Sequence, residues 1–454
     1  MPSGPMHQHA SSACTSVQSK SIVHTQTQFA THKDAEEAVS RWYRRTTMSV
    51  DPNSRRLAHG YAGASTVTSL RQRNRGAVLK QIIFAGETTR AALAKDCGLS
   101  MASATNIVTE LTGEGLVEET GSVSSRGGRP ISLLAPRGDS RYSIGVDVGE
   151  RGVAVELFDL RLNCIDREFS GGMGPETSTS IAENLNQAIS ALHDRNTHRW
   201  DRLLGIGLGL PGLVETDASG TQVLYAQSLG WPPVPIADLI RGDIPVFADN
   251  GAKTQAKAEL WFGAARGVNH ALIALLGRGV GMGIITDGAL TRGGVGSATE
   301  WGHTKIHANG RLCRCGNRGC VEAYLGADAI VAQWKAAGGQ FEGTGWRALG
   351  DLLDRAAAGD NAAGAVLTEI IDSLGAALGS MVNLTNPERV VIGGWVGNRL
   401  MDSLSTRIDQ AIRANSLTRP GAQFELHASS FGGDTVALGS ALMPIEALID
   451  SRED

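Results

Sequence analysis

The chain has 454 residues, of which 42% are hydrophobic and 5% aromatic, with 57 glycines and a formal net charge of −4. This length predicts two or three domains, and the apolar content predicts a globular protein with an ample core. The slight acidity excludes a chain that coats nucleic acid along its whole length, although a local basic domain stays open. Because no apolar run would span a bilayer and no signal peptide is recognisable, we expect a cytoplasmic protein without membrane contact.

Residues 1–68 are rich in Ser, Thr, His and Gln and show little apolar periodicity. We expect a disordered N-terminal extension, with at most one short helix at Ala35–Arg45. A start codon placed too early would explain the same segment equally well.

Residues 69–137 predict a domain of three helices followed by a hairpin. Amphipathic patterns cover Asn74–Ile83 and Thr89–Cys97, and Ser100 is placed to cap a third helix that runs to about Glu114. Strands are predicted on both sides of a polar, glycine-bearing turn, Ser122–Gly128. Two helices, a turn, a third helix and a hairpin are the order of a winged helix-turn-helix DNA-binding domain.

The charge of this domain reverses that of the whole chain. Residues 66–137 contain nine Lys and Arg against six Asp and Glu, a net of +3 that phosphate binding would require. The residues expected to contact DNA from the third helix and the wing are Ser100, Ser103, Thr105, Asn106, Thr109, Arg126 and Arg129. A winged helix that binds protein and a wing that is only a solvated turn are the alternatives. The three arginines Arg71, Arg73 and Arg75 would either contact the DNA backbone or end the flexible tail.

From Tyr142 onward, apolar strands alternate with helices, which predicts an α/β architecture. Tyr142–Gly149 and Val153–Asp159 form a predicted hairpin, and Ala271–Leu276 is followed by the glycine turn Gly277-Arg-Gly-Val-Gly281. Further strands are predicted at Leu204–Gly212, Gly283–Asp287 and Arg389–Gly394. Two glycine-turned strand pairs far apart in the chain predict two similar lobes around a cleft.

One His and three Cys lie within a glycine-rich stretch of eighteen residues: His303, Cys313, Cys315 and Cys320. Three thiolates and an imidazole make a closed tetrahedral set, so the spacing predicts structural Zn²⁺ rather than catalytic zinc, which needs an open position. The alternative is a reduced loop with packed thiols. Cys97 and Cys164 are expected to be small buried residues of the core.

Together these features resemble the ROK family of repressors and sugar kinases, over roughly residues 142–450. The resemblance rests on Pro211-Gly212, Ser228-Leu-Gly-Trp231, Glu300-x-Gly-His303, Cys313-x-Cys-Gly-x-x-Gly-Cys320-x-Glu322, Asn386-Pro-Glu, Gly393-Gly394 and Asp434-x-x-x-x-Gly439. It implies an actin-like, two-lobed ATPase (ribonuclease H-like) fold for residues 141–454. Lobe one would span about 141–252 plus the C-terminal helix, and lobe two about 253–433, with a zinc knuckle at 303–320.

The resemblance also implies roles for single residues. His303 and the three cysteines match the zinc ligands of the family, and the residues that match its sugar-binding positions are Asn250, Glu300, His303 and Glu322. A carboxylate can accept two hydroxyl hydrogen bonds, and a His that ligates zinc through one nitrogen can meet a sugar hydroxyl with the other. The alternative for the two glutamates is that they only support the knuckle.

Three positions depart from the kinases of the family. The carboxylate that acts as general base is replaced by Gly251, which has no titratable group. The first phosphate turn carries Glu150 and Arg151 in place of small residues, and the second carries Arg278 between its two glycines. The sequence therefore predicts a protein that is not an enzyme.

The function predicted from the sequence is a sugar-responsive transcriptional regulator, in the form of a repressor of carbohydrate uptake or catabolism genes. Its expected partners are operator DNA, a sugar or sugar phosphate effector, and further copies of itself in a homodimer or homotetramer. An ATP-dependent sugar kinase with a DNA-binding domain is one alternative. A regulator controlled by a protein partner, such as a transporter component, is another, and DNA contacts do not decide between repressor and activator.

Overall fold

The structure, a computed structural model, describes residues 67–124, 130–149, 152–171, 177–341, 343, 345–431 and 435–451. The predicted disorder of residues 1–66 and the predicted helix Ala35–Arg45 lie outside these ranges. Residues 67 and 68, which the prediction assigned to the disordered extension, belong to a helix instead.

The first described unit consists of three helices and a hairpin in the predicted order. The helices are α1 (Val67–Ala85), α2 (Arg90–Asp96) and α3 (Met101–Gly113), and the antiparallel strands are β1 (Val117–Val123) and β2 (Ile131–Pro136). Caps set two of the helix starts, because Thr89 Oγ1 accepts a hydrogen bond from the Ala92 N–H and Ser100 Oγ accepts one from the Ser103 N–H.

Helix α1 begins seven residues before the predicted start at Asn74, and ion pairs with α3 explain the difference. Arg71 Nη2 lies 2.5 Å from Glu110 Oε2, and Arg75 pairs with Glu110 and with Glu114. Arg71 and Arg75 therefore join α1 to α3 and do not end a flexible tail. The carboxylates of Glu110 and Glu114 accordingly form ion pairs within the same unit.

A five-stranded mixed sheet follows, with the order β10-β6-β3-β4-β5. Strands β3 to β5 are antiparallel neighbours, whereas β3, β6 and β10 are parallel. Helix α4 (Ser178–Trp200) packs against β4 and β5, and α12 (Thr435–Asp450) packs against β3 and β6. The strands are β3 (Tyr142–Gly149), β4 (Gly152–Asp159), β5 (Cys164–Ser170), β6 (Leu203–Leu210) and β10 (Val246–Asn250).

Two glycines allow α12 to lie directly on this sheet. A Cβ on Gly145 would lie 2.0 Å from the carbonyl oxygen of Ala437, and one on Gly207 would lie 1.9 Å from that of Ser440. No other residue type fits at such a distance from a backbone atom. The C-terminal helix therefore packs directly on the first large sheet.

The second five-stranded sheet has the order β13-β12-β11-β14-β15, with β11 antiparallel to β12 and parallel to β14. Its strands are β11 (Ala271–Leu276), β12 (Val280–Thr286), β13 (Ala289–Leu290), β14 (Arg389–Gly393) and β15 (Glu425–Ala428). The helices of this half are α6 (Glu322–Leu325), α7 (Ala327–Ala336), α8 (Gly345–Ala357), α9 (Asn361–Thr385), α10 (Gly394–Ala414) and α11 (Thr418–Gly421). A small antiparallel sheet lies between the two large ones in the chain: β7 (Leu213–Thr216), β8 (Gln222–Tyr225) and β9 (Val234–Pro235).

Helix α5 (Gly251–Phe262) connects the two large sheets, because it packs against α12 and β6 on one side and against β11 and β12 on the other. Close packing on β12 depends on small residues, since a Cβ on Gly283 would lie 2.1 Å from Ala256 Cβ. Nine of its twelve residues are buried: Ala252, Lys253, Thr254, Gln255, Ala256, Lys257, Ala258, Glu259 and Trp261.

The front unit shares its core with the C-terminal helix. Leu79 and Leu111 belong to the same buried cluster as Leu442 and Ile445 of α12. Gly76 of α1 permits the contact, because a Cβ there would lie 2.7 Å from the carbonyl oxygen of Ile449.

Two further observations bear on the sequence predictions. Helix α9 is long and apolar enough to cross a membrane by length and composition alone, but its apolar face packs in the core of the second half, so we assign it to that core. Cys97 is half-buried and Cys164 is exposed on β5, so the prediction that both cysteines are buried is wrong for Cys164.

Candidate metal centre and effector site

The knuckle is a series of tight turns between the short 3-10 helix Trp301–His303 and α6. The Cys313 N–H donates to the carbonyl oxygen of Asn317 at 2.8 Å, and isolated bridges join Lys305 to Cys320 and Leu312 to Arg318. Glycine is required at position 319, where φ is +75° and a Cβ would lie 1.6 Å from the carbonyl oxygen of His307. The backbone thus folds three cysteines and a histidine towards one point.

The four side chains form a group that can hold a metal ion. One ligand atom from each of His303, Cys313, Cys315 and Cys320 lies within 4.8 Å of the others. The sulfurs of Cys315 and Cys320 are 3.8 Å apart, and Cys313 Sγ is 3.8 Å from His303 Nδ1. Ligand bonds of roughly 2.0–2.3 Å in a tetrahedron give edges of about 3.5–3.8 Å, so these two pairs match the edges of a zinc tetrahedron, and the whole group, within 4.8 Å, would close by about 1 Å at most around an ion.

Burial and a neighbouring lysine set the protonation chemistry of the thiols. Burial raises the pKa of Cys313 to about 12. A thiol with that pKa becomes a thiolate at neutral pH when a metal ion takes the place of its proton. Lys305 Nζ donates to Cys320 Sγ at 2.9 Å, and its positive charge would offset the net negative charge of a zinc ion with three thiolates.

Glu322, at the start of α6, connects the knuckle to the second glycine turn. Its buried carboxylate accepts a hydrogen bond from the Val280 N–H at 3.1 Å through Oε2. Its other oxygen, Oε1, lies 3.8 Å from Cys313 Sγ and 3.5 Å from Arg314 Nη2. The carboxylate is therefore held in place from both sides.

Glu300 lies immediately before the 3-10 helix that carries His303, and it is half-buried. Burial raises the pKa of its carboxyl group, while the nearby His303 and Lys253 lower it and Glu322 raises it further. Three of the four predicted sugar-binding residues, Glu300, His303 and Glu322, are therefore close enough in space to interact electrostatically. His303 presents Nδ1 to the cysteines, which leaves Nε2 on the other side of the ring.

Asn250, the fourth predicted sugar-binding residue, is the N-cap of α5. Its Oδ1 accepts a hydrogen bond from the Ala252 N–H at 2.9 Å, and its Nδ2 donates to the carbonyl oxygen of Gly212 at 2.8 Å. A side-chain amide has further donor and acceptor capacity, so one more partner can be added to each atom.

Sequence reasoning missed a group of buried charges beside these residues. Lys253 donates to the carbonyl oxygen of Gly296, and burial lowers its pKa while Asp249 and Glu300 raise it. Arg292 Nη1 lies 2.8 Å from Asp249 Oδ2, an ion pair without hydrogen-bond alignment. A Lys at the third position of the helix was the available signal. Its partners, however, come from a loop about forty residues away, which no local pattern reveals.

Gly251, which the sequence aligns with the general base of the kinases, has space for a side chain. A Cβ on Gly251 would meet its nearest neighbours, Leu210 O and Val436 Cγ1, at 3.8 Å, which is ordinary contact. In the second glycine turn the Gly277 N–H donates to the carbonyl oxygen of Gly279 at 3.0 Å. Glu150 and Arg151 of the first turn lie outside the described residues.

The predicted DNA-contacting side chains of α3 lie on one face. Ser100, Ser103, Asn106 and Thr109 are exposed and Thr105 is half-buried, while Ala104, Ile107, Val108 and Leu111 are buried on the opposite face. Thr109 Oγ1 donates to the carbonyl oxygen of Thr105, as is common for a helical threonine. The wing residues Arg126 and Arg129 lie outside the described residues, so their predicted role stays a prediction.

Comparison with known proteins adds family relationships to this geometry. The model of the ROK family matches residues 143–446. The xylose repressor of Caldicellulosiruptor bescii is 30% identical over 399 residues, which cover 85% of this chain and 98% of that repressor. A glucokinase of Halalkalibacterium halodurans is 32% identical over 315 residues, which cover 66% of this chain and 93% of the kinase.

Among solved structures, a ROK family transcriptional regulator described as a homolog of the E. coli MLC protein matches with a TM-score of 0.67. The identity is 28%, and the match covers 84% of this chain and 97% of that chain. The predicted family resemblance and the α/β fold of the actin-like ATPases are confirmed by these matches, whereas the winged-helix assignment and the roles of single residues stay predictions.

We expect the purified protein to contain about one zinc ion per chain, because the four ligands close a tetrahedral site. Cys313→Ser should abolish most of this zinc and lower the midpoint of thermal unfolding by several degrees, since structural zinc contributes directly to folding. Elemental analysis and thermal unfolding measure the two effects.

The matched control is Cys164→Ser, which replaces an exposed cysteine far from the knuckle in sequence. It should leave both the zinc content and the unfolding midpoint unchanged. Full zinc content in the Cys313→Ser protein would contradict the assignment of Cys313 as a ligand.

Proposed function

The chain belongs to the ROK family, and we propose that it is a cytoplasmic, sugar-responsive transcriptional repressor that controls genes of carbohydrate uptake or catabolism. The observation that carries the proposal is the joint presence of a helical front unit and a family domain with Gly251 at the catalytic position. The alignment with a xylose repressor over 98% of that protein's length supports it, because the front unit is included in the match.

In this proposal residues 69–137 form a winged helix-turn-helix domain that binds operator DNA. Polar side chains on the exposed face of α3 would contact base edges or phosphates. An Asn side chain can form two hydrogen bonds with adenine, and Ser or Thr can form a hydrogen bond with a base edge or a phosphate. A single winged helix makes too few contacts for tight specific binding, so we propose that a homodimer or homotetramer binds a palindromic site.

Residues 141–454 would form the effector domain, in which Asn250, Glu300, His303 and Glu322 bind the hydroxyl groups of a sugar or sugar phosphate. Zinc at His303, Cys313, Cys315 and Cys320 would keep the His303 ring and the Glu322 carboxylate in position. Buried carboxylate acceptors discriminate strongly against a ligand that lacks the matching hydroxyl groups.

We also propose that the domain does not phosphorylate its sugar. Gly251 cannot take a proton from an attacking hydroxyl group, and the nearby Asp249 carboxylate is paired with Arg292 at 2.8 Å. The likeness to a glucokinase at 32% identity makes kinase activity the alternative to be tested.

Helix α5 offers a physical connection between the effector site and the front unit. It begins at Asn250, in the proposed site, and ends with Trp261 and Phe262 beside α1. Lys80 of α1 lies 4.9 Å from the Trp261 ring centroid, and the rings of Phe84 and Phe262 are 6.4 Å apart. A movement of α5 on sugar binding would therefore reach α1 directly, provided that the sugar binds the two states with different affinity.

The proposal predicts tight binding to DNA from upstream of the gene, released by one member of a panel of sugars and sugar phosphates. Fluorescence anisotropy at a fixed salt concentration measures both effects.

Asn106→Ala should weaken DNA binding about tenfold, the value of one lost base contact. Glu300→Gln should keep DNA binding and abolish the sugar response.

Asn361→Ala and Glu183→Gln are matched controls at exposed helical positions away from both sites, and they should behave as the unsubstituted protein. DNA binding that no sugar changes would favour control by a protein partner. Binding no tighter than to random DNA would count against the regulator.

A second prediction concerns catalysis. The protein should show no sugar-dependent ATP hydrolysis, and Gly251→Asp should not create it, although the new carboxylate has space. We expect this because both phosphate turns have also changed. Sugar-dependent turnover in either protein, measured by a coupled assay for ADP, would support the kinase alternative.

The third prediction tests the contact between α1 and α12. Gly76→Ala forces α1 away from the carbonyl oxygen of Ile449, at 2.7 Å from the new Cβ, and should change the sugar response while Asn106 and Glu300 stay intact. Gly113→Ala, whose Cβ would meet nothing within 4 Å, is the control in the same unit. The measurement is the sugar concentration that releases half of the DNA. Equal values for the unsubstituted protein, Gly76→Ala and Gly113→Ala would disprove coupling through this contact.

A further inference from the structure

A cleft of about 450 Å³ lies between the knuckle, the second glycine turn and α7. Three arginines line it, Arg278 from the glycine turn and Arg311 and Arg314 from the knuckle, and four alanines form part of the opposite wall. Glu322 also lines this cleft. The volume suits a small metabolite, since ligand sites range from roughly 300 to 1,000 Å³.

Two of these arginines point to the same place. Arg278 Nε lies 3.4 Å from Asp328 Oδ2, and Arg314 Nη1 lies 3.6 Å from the same oxygen atom. Arg314 Nη2 donates to the backbone carbonyl oxygen of Arg278 at 3.2 Å, which ties the Arg314 side chain to the backbone of the glycine turn. The guanidinium groups therefore converge on one position that holds an anionic oxygen.

The carboxylate of Asp328 interacts only weakly with the two guanidinium groups. Its side chain is 63% exposed, and both contacts are longer than the roughly 2.7–2.9 Å of a strong charge-assisted hydrogen bond. A phosphate group, with more charge and three acceptor oxygens, would satisfy two planar guanidinium groups better than a single carboxylate oxygen does.

The third arginine has other partners. Arg311 Nη2 lies 2.5 Å from Glu369 Oε1, and its guanidinium group lies over the Tyr324 ring at 4.6 Å. Arg311 is therefore part of the wall, and the anion donors are Arg278 and Arg314.

We propose that this cleft binds the phosphate group of a phosphorylated sugar, through Arg278 and Arg314. The inference rests on the proposed function, because Glu322, which lies 3.5 Å from Arg314 Nη2, is a proposed hydroxyl acceptor in the same cleft. The effector is then a sugar phosphate, and the free sugar binds less tightly. Asp328 is the internal competitor of that phosphate group.

Calorimetry on the full-length, zinc-loaded protein without DNA tests this directly. The probes are inorganic phosphate, the pair glucose and glucose 6-phosphate, and the pair N-acetylglucosamine and N-acetylglucosamine 6-phosphate. Inorganic phosphate should bind, and one sugar phosphate should bind at least about tenfold more tightly than its free sugar, the value of one charge-assisted hydrogen bond.

Variants assign the effect to the two arginines. Arg278→Gln and Arg314→Gln should each weaken phosphate binding about tenfold or more, whereas Asp328→Asn should strengthen it several-fold because the competing charge is removed. Arg318→Gln, at a knuckle arginine that does not line the cleft, should change nothing. Zinc content is measured for each variant, so that a damaged knuckle is recognised.

Several results would overturn the inference: no binding of inorganic phosphate, equal affinity for both members of each sugar pair, or phosphate affinity that Arg278→Gln leaves intact in a zinc-loaded protein. Failure of the proposed function looks different. Phosphate binding with the expected dependence on Arg278 and Asp328, but without any effect of the sugar phosphates on DNA binding, would exclude the sugar-responsive regulator and keep the subsite.

Discussion

The structure depends on the way in which helix α5 is held between the two sheets. Three of its buried residues carry charge, and each has a partner on a different element. Lys253 donates to the backbone at Gly296, Lys257 pairs with Glu446 of α12, and Glu259 accepts hydrogen bonds from Ser429, Ser430 and Ala264. Removing one partner of a buried charge costs about 3–5 kcal/mol, so the helix has one stable position for a given arrangement of these elements.

This constraint connects the chemistry of the site to its surroundings. The N-terminus of α5 supplies Asn250, and the loop that accepts from Lys253 continues to Glu300 and His303. The same helix ends against α1, where Arg266 donates to the carbonyl oxygen of Phe84 at 3.1 Å and lies over its ring. Helix α5 and the residues that follow it thus connect the surroundings of Glu300 and Lys253 to α1 through a continuous set of contacts.

The sequence predicted best what depends on neighbouring residues. The grouping of His303 with the three cysteines was predictable because their spacing within eighteen residues encodes the turn, and the strands were predictable because Tyr142–Gly149 and Ala271–Leu276 are continuous apolar runs. What failed depends on distant partners. Helix α1 starts at Val67, and its first turns include Arg71, whose partner Glu110 is 39 residues away; Cys164 is exposed on β5, the outermost strand of its sheet. The Asp249–Arg292 pair was missed for the same reason.

The knuckle differs from a catalytic metal site in what it supports. If its four candidate ligands all bind one zinc ion, they leave no coordination position for a substrate, so such an ion would not act as a Lewis acid on one. Residues in and beside the knuckle are hydrogen-bonded to the second glycine turn. Glu322 accepts a hydrogen bond from the Val280 N–H, and Arg314 donates one to the carbonyl oxygen of Arg278. A metal ion that holds Cys313 and Cys315 thereby holds Arg314 between them, together with the carboxylate beside it.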